Sequence, residues 1–202
     1  MGDMQNIKDE IHKKLLEAGR RLVCEKGTEF LTARKLSEAS GCSIGTIYNQ
    51  FDNMDEFICE QNEITLSELL ALLSQEKYEA DSYVNLNKMA DLFAKFVLDN
   101  RQLWSLLYNF HFQHAKYDFS YKYRKNLLKA VNFANRDFDN LFVKLPKIKA
   151  KTMRNILLLS FAGLSSVITS DAVSENKNIQ PRQVARIFLN VFLAGTGVLE
   201  GL

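Results

Sequence analysis

Apolar positions recur at intervals of three and four along nearly all of this 202-residue chain, the spacing of one face of an α-helix. From Met4 to Lys26 the stripe is Ile7, Ile11, Leu15, Ala18 and Leu22, and Lys26-Gly27 offers a glycine for the left-handed position that closes a helix. Two short helical segments follow. Thr32 is placed to cap the first (33–40), with Leu36 and Ala39 expected to face inward. Ser40-Gly41 then breaks the chain, and Ser43 is placed to cap the second (44–50), which carries Ile44, Ile47 and Tyr48 and leads to Phe51. After a turn at Asp52-Asn53, a long helix is expected from Met54 to about Tyr78. Asp55 and Glu56 in its first turn complement the helix dipole. Further helices are expected at about 83–99, 101–115, 119–145, 147–171 and 181–199. Asp99-Asn100, Asp118, Pro146 and the polar run 174–181 separate them, and Pro181 suits a first helical turn. No region prefers strands, so the expected fold class is all-α.

Composition agrees with that pattern and narrows the function. Only 2 Pro and 9 Gly interrupt a chain that is 47% hydrophobic and 25% charged, ordinary values for a chain able to bury a core. The net charge of +2 does not announce a nucleic-acid binder, but the charge is unevenly spread. Residues 1–51 carry 8 Lys/Arg against 7 Asp/Glu, residues 52–100 carry 3 against 11, and residues 118–154 carry 10 against 3. A specific DNA reader can work from a balanced module if its few cations and backbone N–H groups share a face. The 3 cysteines, Cys24, Cys42 and Cys59, are odd in number and widely spaced, which argues against a disulfide framework and a zinc site. With a polar N-terminus and no run of eighteen apolar residues, a cytoplasmic location and no membrane partner are expected.

Residues 32–51, TARKLSEASGCSIGTIYNQF, carry the chemistry. Two short helices joined by a tight Gly-containing turn form a helix-turn-helix. Ile47 and Phe51, four apart, pin the second helix to a core. Ile44, Gly45, Thr46, Tyr48 and Asn49 are left for whatever lies outside. A recognition helix meets base edges with its N-terminal residues, and small residues there let the backbone come close. Thr46 and Tyr48 can donate to phosphate oxygens, while the methyl groups of Ile44 and Thr46 can touch a thymine methyl. Asn49 is suited to a bidentate adenine contact, and Arg34 is placed to reach a base or a phosphate.

In the order of these signals the chain resembles the TetR family of transcriptional regulators. The likeness runs from the long first helix ending in Lys26-Gly27 through Leu31-Thr32-Ala33-Arg34-Lys35-Leu36 and Ala39-Ser40-Gly41-Cys42-Ser43. It continues with Gly45-Thr46-Ile47-Tyr48-x-x-Phe51 and the apolar helix from Phe57, covering about residues 7–60. The resemblance implies that Tyr48 contacts DNA phosphates and that Arg34 and residues 43–49 lie against the duplex. The expected DNA face is therefore Thr32, Arg34, Ser43, Ile44, Gly45, Thr46, Tyr48 and Asn49. Met54 stands where the family usually has a phosphate-binding Lys; losing that contact would lower the salt dependence of binding by about one unit of slope. The resemblance also implies a DNA-binding domain over 1–53 and a helical effector-binding and dimerisation domain over 54–202.

The larger part carries no sharp motif. The segment 156–164 and the last helix are apolar nearly all round, so they need burial on more than one side. Either they are core, or they form a two-fold four-helix interface through Leu157, Phe161, Leu164, Phe188, Val191 and Phe192, with small residues such as Gly163 and Gly195 permitting close approach. A dimer also fits the reading of a palindromic operator by two recognition helices. The aromatic-rich stretch 89–123 offers Phe96, Trp104, Tyr108, His111 and Phe112 either as the lining of an effector pocket or as ordinary packing. His111 and His114 read as surface or packing residues rather than metal ligands, and Cys42 as a small buried hydrophobe. No cofactor, metal or catalytic set is expected. The expected partners are double-stranded DNA, a small-molecule effector and a second copy of the chain. The competing reading is a helical adaptor that keeps the fold without operator binding.

Overall fold

The structure, a computed structural model, describes residues 2–113, 121–169 and 180–197. The expectations placed on His114, Asp118, residues 174–179 and the end of the last helix beyond 197 lie outside these residues, as does the side chain of Phe112. The described elements are all helical: α1 (Gly2–Lys26), a 3-10 turn (Thr28–Phe30), α2 (Ala33–Ser40), α3 (Ile44–Gln50) and α4 (Met54–Gln75). Next come α5 (Ser82–Asp99), α6 (Arg101–Gln113), α7 (Tyr121–Asn132), α8 (Asn135–Leu141), α9 (Lys147–Thr169) and α10 (Pro181–Gly195). The N-terminal helix-turn-helix module is followed by a larger helical body, and α4 carries the chain from one to the other.

Two compact units emerge from the packing. The first comprises residues 1–66 and 102–125. Leu15, Ala18, Val23, Leu36, Ile47, Phe51 and Phe57 form its core, with Leu103 and Leu106 packed among them. A glycine sets the spacing where α1 meets α4: a Cβ on Gly19 would fall into the Phe57 ring. Beside it, Gln61 donates from Nε2 to the Leu16 carbonyl at 2.7 Å, and Arg20 donates to Thr65 Oγ1 at 3.2 Å. His12 stacks on Phe51 with ring centroids 4.6 Å apart and meets Glu60 at 2.8 Å.

The second unit comprises residues 67–101 and 126–202. An aromatic ladder runs from α5 through α9 to α10. Phe93 meets Phe161 edge-on at 5.9 Å, Phe161 meets Phe188 edge-on at 5.5 Å, and Phe188 lies 6.4 Å from Phe192. Asn85, fully buried, has both its nitrogen and its oxygen engaged: its amide donates to the Glu79 carbonyl and to Asp137, and its oxygen accepts from the Glu79 N–H. By length and composition α9 could cross a membrane; here its Leu157, Ser165 and Ile168 are buried and it packs with α5 and α10.

The structure departs from the sequence expectations at four places. Residues 119–145 do not form one helix but divide into α7 and α8 at Phe133-Ala134. There the Phe133 N–H turns back to Ala130, and Asn135 donates to Asn132 at 2.6 Å, a side-chain competition with the backbone that helices tolerate poorly. Ala39 is exposed and Ser40 is buried, because α2 turns the line of Leu36 and Ser40, four apart, toward the core. Ile7 is exposed. Cys42 is half-buried, and the three cysteines form no disulfide.

Candidate nucleic-acid interface

Local capping shapes the α2–α3 hairpin. Thr32 Oγ1 accepts from the Lys35 N–H at 3.3 Å and so starts α2. Gly41 ends it at φ 69°, a left-handed conformation that a Cβ would strain. The turn is then stitched by side chains: Ser37 Oγ donates to the Cys42 carbonyl at 2.6 Å, and Ser40 Oγ accepts from the Cys42 N–H at 3.2 Å. Ser43 Oγ accepts from the Thr46 N–H at 3.0 Å and lies 2.9 Å from the Thr46 hydroxyl, starting α3. After α3, Asn53 Oδ1 accepts from the Glu56 N–H while Glu56 reaches back to the Asp52 N–H, a reciprocal cap that fixes the entry to α4.

On α3 the buried and exposed roles separate residue by residue. Ile47 has no exposed surface, and Phe51 just beyond it is 2% exposed. Ile44 is 45% and Tyr48 47% exposed, and Gly45 and Asn49 are exposed between them. The hydroxyls of Thr32 and Ser43 are engaged as caps, so any contact they make outside is shared with that task. Gly45 is informative because the fold does not require it. It is helical, and a Cβ there would meet nothing nearer than Ser43 Oγ at 3.7 Å. A glycine with room for a side chain, at the outward first turn of the helix, lets another surface approach the backbone.

Arg34 projects from the start of α2 but is held by a neighbour. Glu38 sits between the two cations of its own helix, 2.8 Å from Lys35 Nζ and 3.3 Å from Arg34 Nε. The Lys35 hydrogen bond, aided by Arg34, holds the Glu38 carboxyl below its ordinary value. The sequence reading missed this partner, although the spacing of four from Arg34 is the signal for it. Met54 packs onto the apolar core at the start of α4.

Residues 15–60 match the family model described as bacterial regulatory proteins, tetR family. The capped α2–α3 hairpin lies wholly inside that match. Over these residues the chain is similar to the tetR family. Around it the whole chain takes a TetR-like fold. A protein of unknown function from Rhodococcus sp. RHA1 superposes with a TM-score of 0.72 at 17% identity, over 92% of this chain and 94% of that one. A transcriptional regulator from Rhodococcus sp. Rha1 gives 0.68 at 16% identity, over 91% and 96%. A TetR-family transcriptional regulator from Bordetella parapertussis 12822 gives 0.64 at 14% identity, over 93% and 94%. No curated protein sequence matches the chain.

Outside the TetR module, the aromatic residues singled out in the sequence do not gather in one unit. Phe96 is buried in the second unit, whereas Trp104 is buried in the first and Tyr108 and His111 are half-buried there. In the first unit His111 faces Tyr123, with ring centroids 6.4 Å apart. Burial holds the His111 imidazole below its ordinary value and pushes the Tyr123 hydroxyl up. Among the described residues no three His, Cys, Asp or Glu side chains group as metal ligands.

Of the six residues singled out for an interface, Leu157 has no exposed surface and belongs to the subunit core. Phe161, Phe188 and Phe192 are half-buried in the aromatic ladder, and Leu164 is half-buried. Val191 is 67% exposed. The outward apolar line of α9 is instead Ile156, Leu159, Gly163 and Val167, and that of α10 is Ile187, Val191 and Gly195.

Proposed function

We propose that this protein is a cytoplasmic, non-enzymatic transcription regulator that binds a palindromic operator as a homodimer and is released by a small-molecule effector, acting as a repressor. The observation that carries the reading is α3 itself: one face locked by Ile47, the other offering Ile44, Gly45, Tyr48 and Asn49 with a glycine the fold does not need. Thr32, Arg34, Ser43 and Thr46 complete the DNA face, with Tyr48 and Arg34 directed to the backbone and the first turn of α3 to base edges. Residues 1–53 read DNA, and residues 54–202 dimerise and take the effector.

The dimer reading rests on the outward lines of α9 and α10. An apolar surface at helical spacing, with open space over Gly163 and Gly195, suits two helices from each subunit packed about a two-fold axis. Effector binding then favours a dimer whose two α3 helices no longer match the half-site spacing.

The deciding experiment is selection from random duplexes at two salt concentrations. Enrichment of a palindrome whose affinity falls steeply with salt is the expected result. A folded dimer that enriches no site would overturn operator binding and leave the adaptor reading.

A further inference from the structure

Two fully buried asparagines distinguish the halves of this molecule. Asn85 makes three hydrogen bonds at 2.7–2.9 Å, two with Glu79 and one to Asp137. Asn62, in the middle of α4, is equally buried, yet neither its amide nitrogen nor its oxygen has a partner. Leucine fills about the same space and is a better helix former, so neither packing nor propensity explains asparagine there. A buried amide with both ends unmet calls for an explanation, and a bound partner from outside the fold supplies one.

The surroundings indicate what that partner is. Cys59, Asn62 and Leu66 follow one another along α4 at spacings of three and four, all buried, with Glu63 beside them. Lys122 at the start of α7 reaches Glu63 of α4, and the next residue, Tyr123, is fully buried and faces His111 with ring centroids 6.4 Å apart. The local charge is already matched: Glu63 meets Lys122 Nζ at 2.9 Å. Burial holds the His111 imidazole below its ordinary value, which disfavours its charged form. A carboxylate or an ammonium entering here would find its nearest opposite charge already engaged.

We propose that Asn62 is the polar anchor of the effector site and takes an uncharged ligand whose donor and acceptor lie side by side, such as an amide, lactam or imide edge. The carboxamide of Asn62 receives that edge through two parallel hydrogen bonds, and the rings of Tyr123 and His111 lie near the attached apolar or aromatic body. This rests on the reading of the chain as an effector-responsive regulator, but it concerns one residue and one class of ligand.

The test uses the full-length protein labelled with 15N-asparagine, the Asn62 side-chain signals being assigned by their loss in Asn62→Leu and Asn62→Ser. The amide probes are 2-pyrrolidinone, benzamide and uracil; benzoate, benzylamine and toluene serve as charged and apolar controls. The amide probes are expected to shift the Asn62 signals and raise the melting temperature, and the controls to do neither. Ligand-free Asn62→Leu is expected to melt higher than the parent and to lose its response to the amide probes. Asn62 signals unmoved by every amide probe, as trapped water alone would leave them, would overturn the inference. So would an equal response in Asn62→Leu or Asn62→Ser. Operator binding is followed in the same samples. Release by benzoate or toluene with Asn62 silent sinks this site and spares the regulator reading, whereas an Asn62 response without any change in operator binding does the reverse.

Discussion

The α2–α3 hairpin and the helical bundle of α5, α9 and α10 solve the same problem by different means. The hairpin is too small to bury much, so caps, a left-handed Gly41 and a few anchors hold its shape. The exposed residues of α3 itself, Ile44, Gly45, Tyr48 and Asn49, are therefore released from structural duty. In the bundle, a mostly aliphatic core is bordered by aromatics, and Phe161 and Phe188 are half-buried at once in the subunit and beside its outward apolar lines. Structural and outward-facing roles separate by single residues in the first region and overlap in the second. Adjacent substitutions should thus have opposite phenotypes in the hairpin, while in the bundle the contrast must be drawn between faces of one helix.

The largest effects test the buried side of each region. Ile47→Ala is expected to cost about 2–5 kcal/mol in chemical denaturation, by loss of burial and the cavity left behind, and to abolish operator binding with it. Its neighbour Tyr48→Phe should leave the denaturation midpoint unchanged. It removes a hydrogen bond to a charged group worth about 1.5–3 kcal/mol, so operator affinity should fall roughly tenfold or more in a titration. Equal losses of stability in the two variants would erase the separation claimed for α3.

In the bundle, Leu157→Ala should likewise destabilise by about 2–5 kcal/mol. Leu159→Lys, two residues on and 70% exposed, should leave the subunit folded by circular dichroism but shift sedimentation from dimer to monomer. A dimeric Leu159→Lys would remove α9 from the interface.

The two glycines of the hairpin give a finer contrast. Gly41→Ala forces a Cβ into a left-handed conformation and should cost about 1 kcal/mol. Gly45→Ala has room and a helical backbone, so it should leave stability equal or raise it by about 0.5 kcal/mol while weakening operator binding. Loss of stability in Gly45→Ala would assign that glycine to the fold.

The smallest effect concerns charge. Glu38 has its carboxyl held low by Lys35 and then Arg34, so its contribution to stability is present above the ordinary carboxylate range and fades as pH falls through the lowered value. Glu38→Gln should flatten that acid limb slightly. It should also free Arg34 and Lys35, tightening DNA binding and steepening its salt dependence by about one unit for each cation that then reaches a phosphate. An unchanged slope would mean that neither cation meets the backbone.

Much of this molecule could be read locally. The limits of α2 and α3, the caps at Thr32 and Ser43, Gly41 and the anchors Ile47 and Phe51 all follow from residues within five positions of one another. Chain order and spacing were enough to identify the helix-turn-helix, because capping and left-handed turns are short-range physics. Helix periodicity failed where one helix is apolar all round. It could not rank Leu157 against Leu159 on α9, and it passed over the two asparagines that divide α7 from α8.

Sequence by itself therefore determined the limits of α2 and α3, their caps and the outward offering of α3. Tertiary structure alone decided that Ser40 rather than Ala39 is inside, that Leu157 is core while Leu159 and Val191 are surface, and that Asn62 is sealed from water without a partner. The reason is that burial depends on segments distant along the chain. Gly19 sets how near α4 comes to α1, and α5 and α10 decide which side of α9 is covered. No spacing within a single helix contains that information.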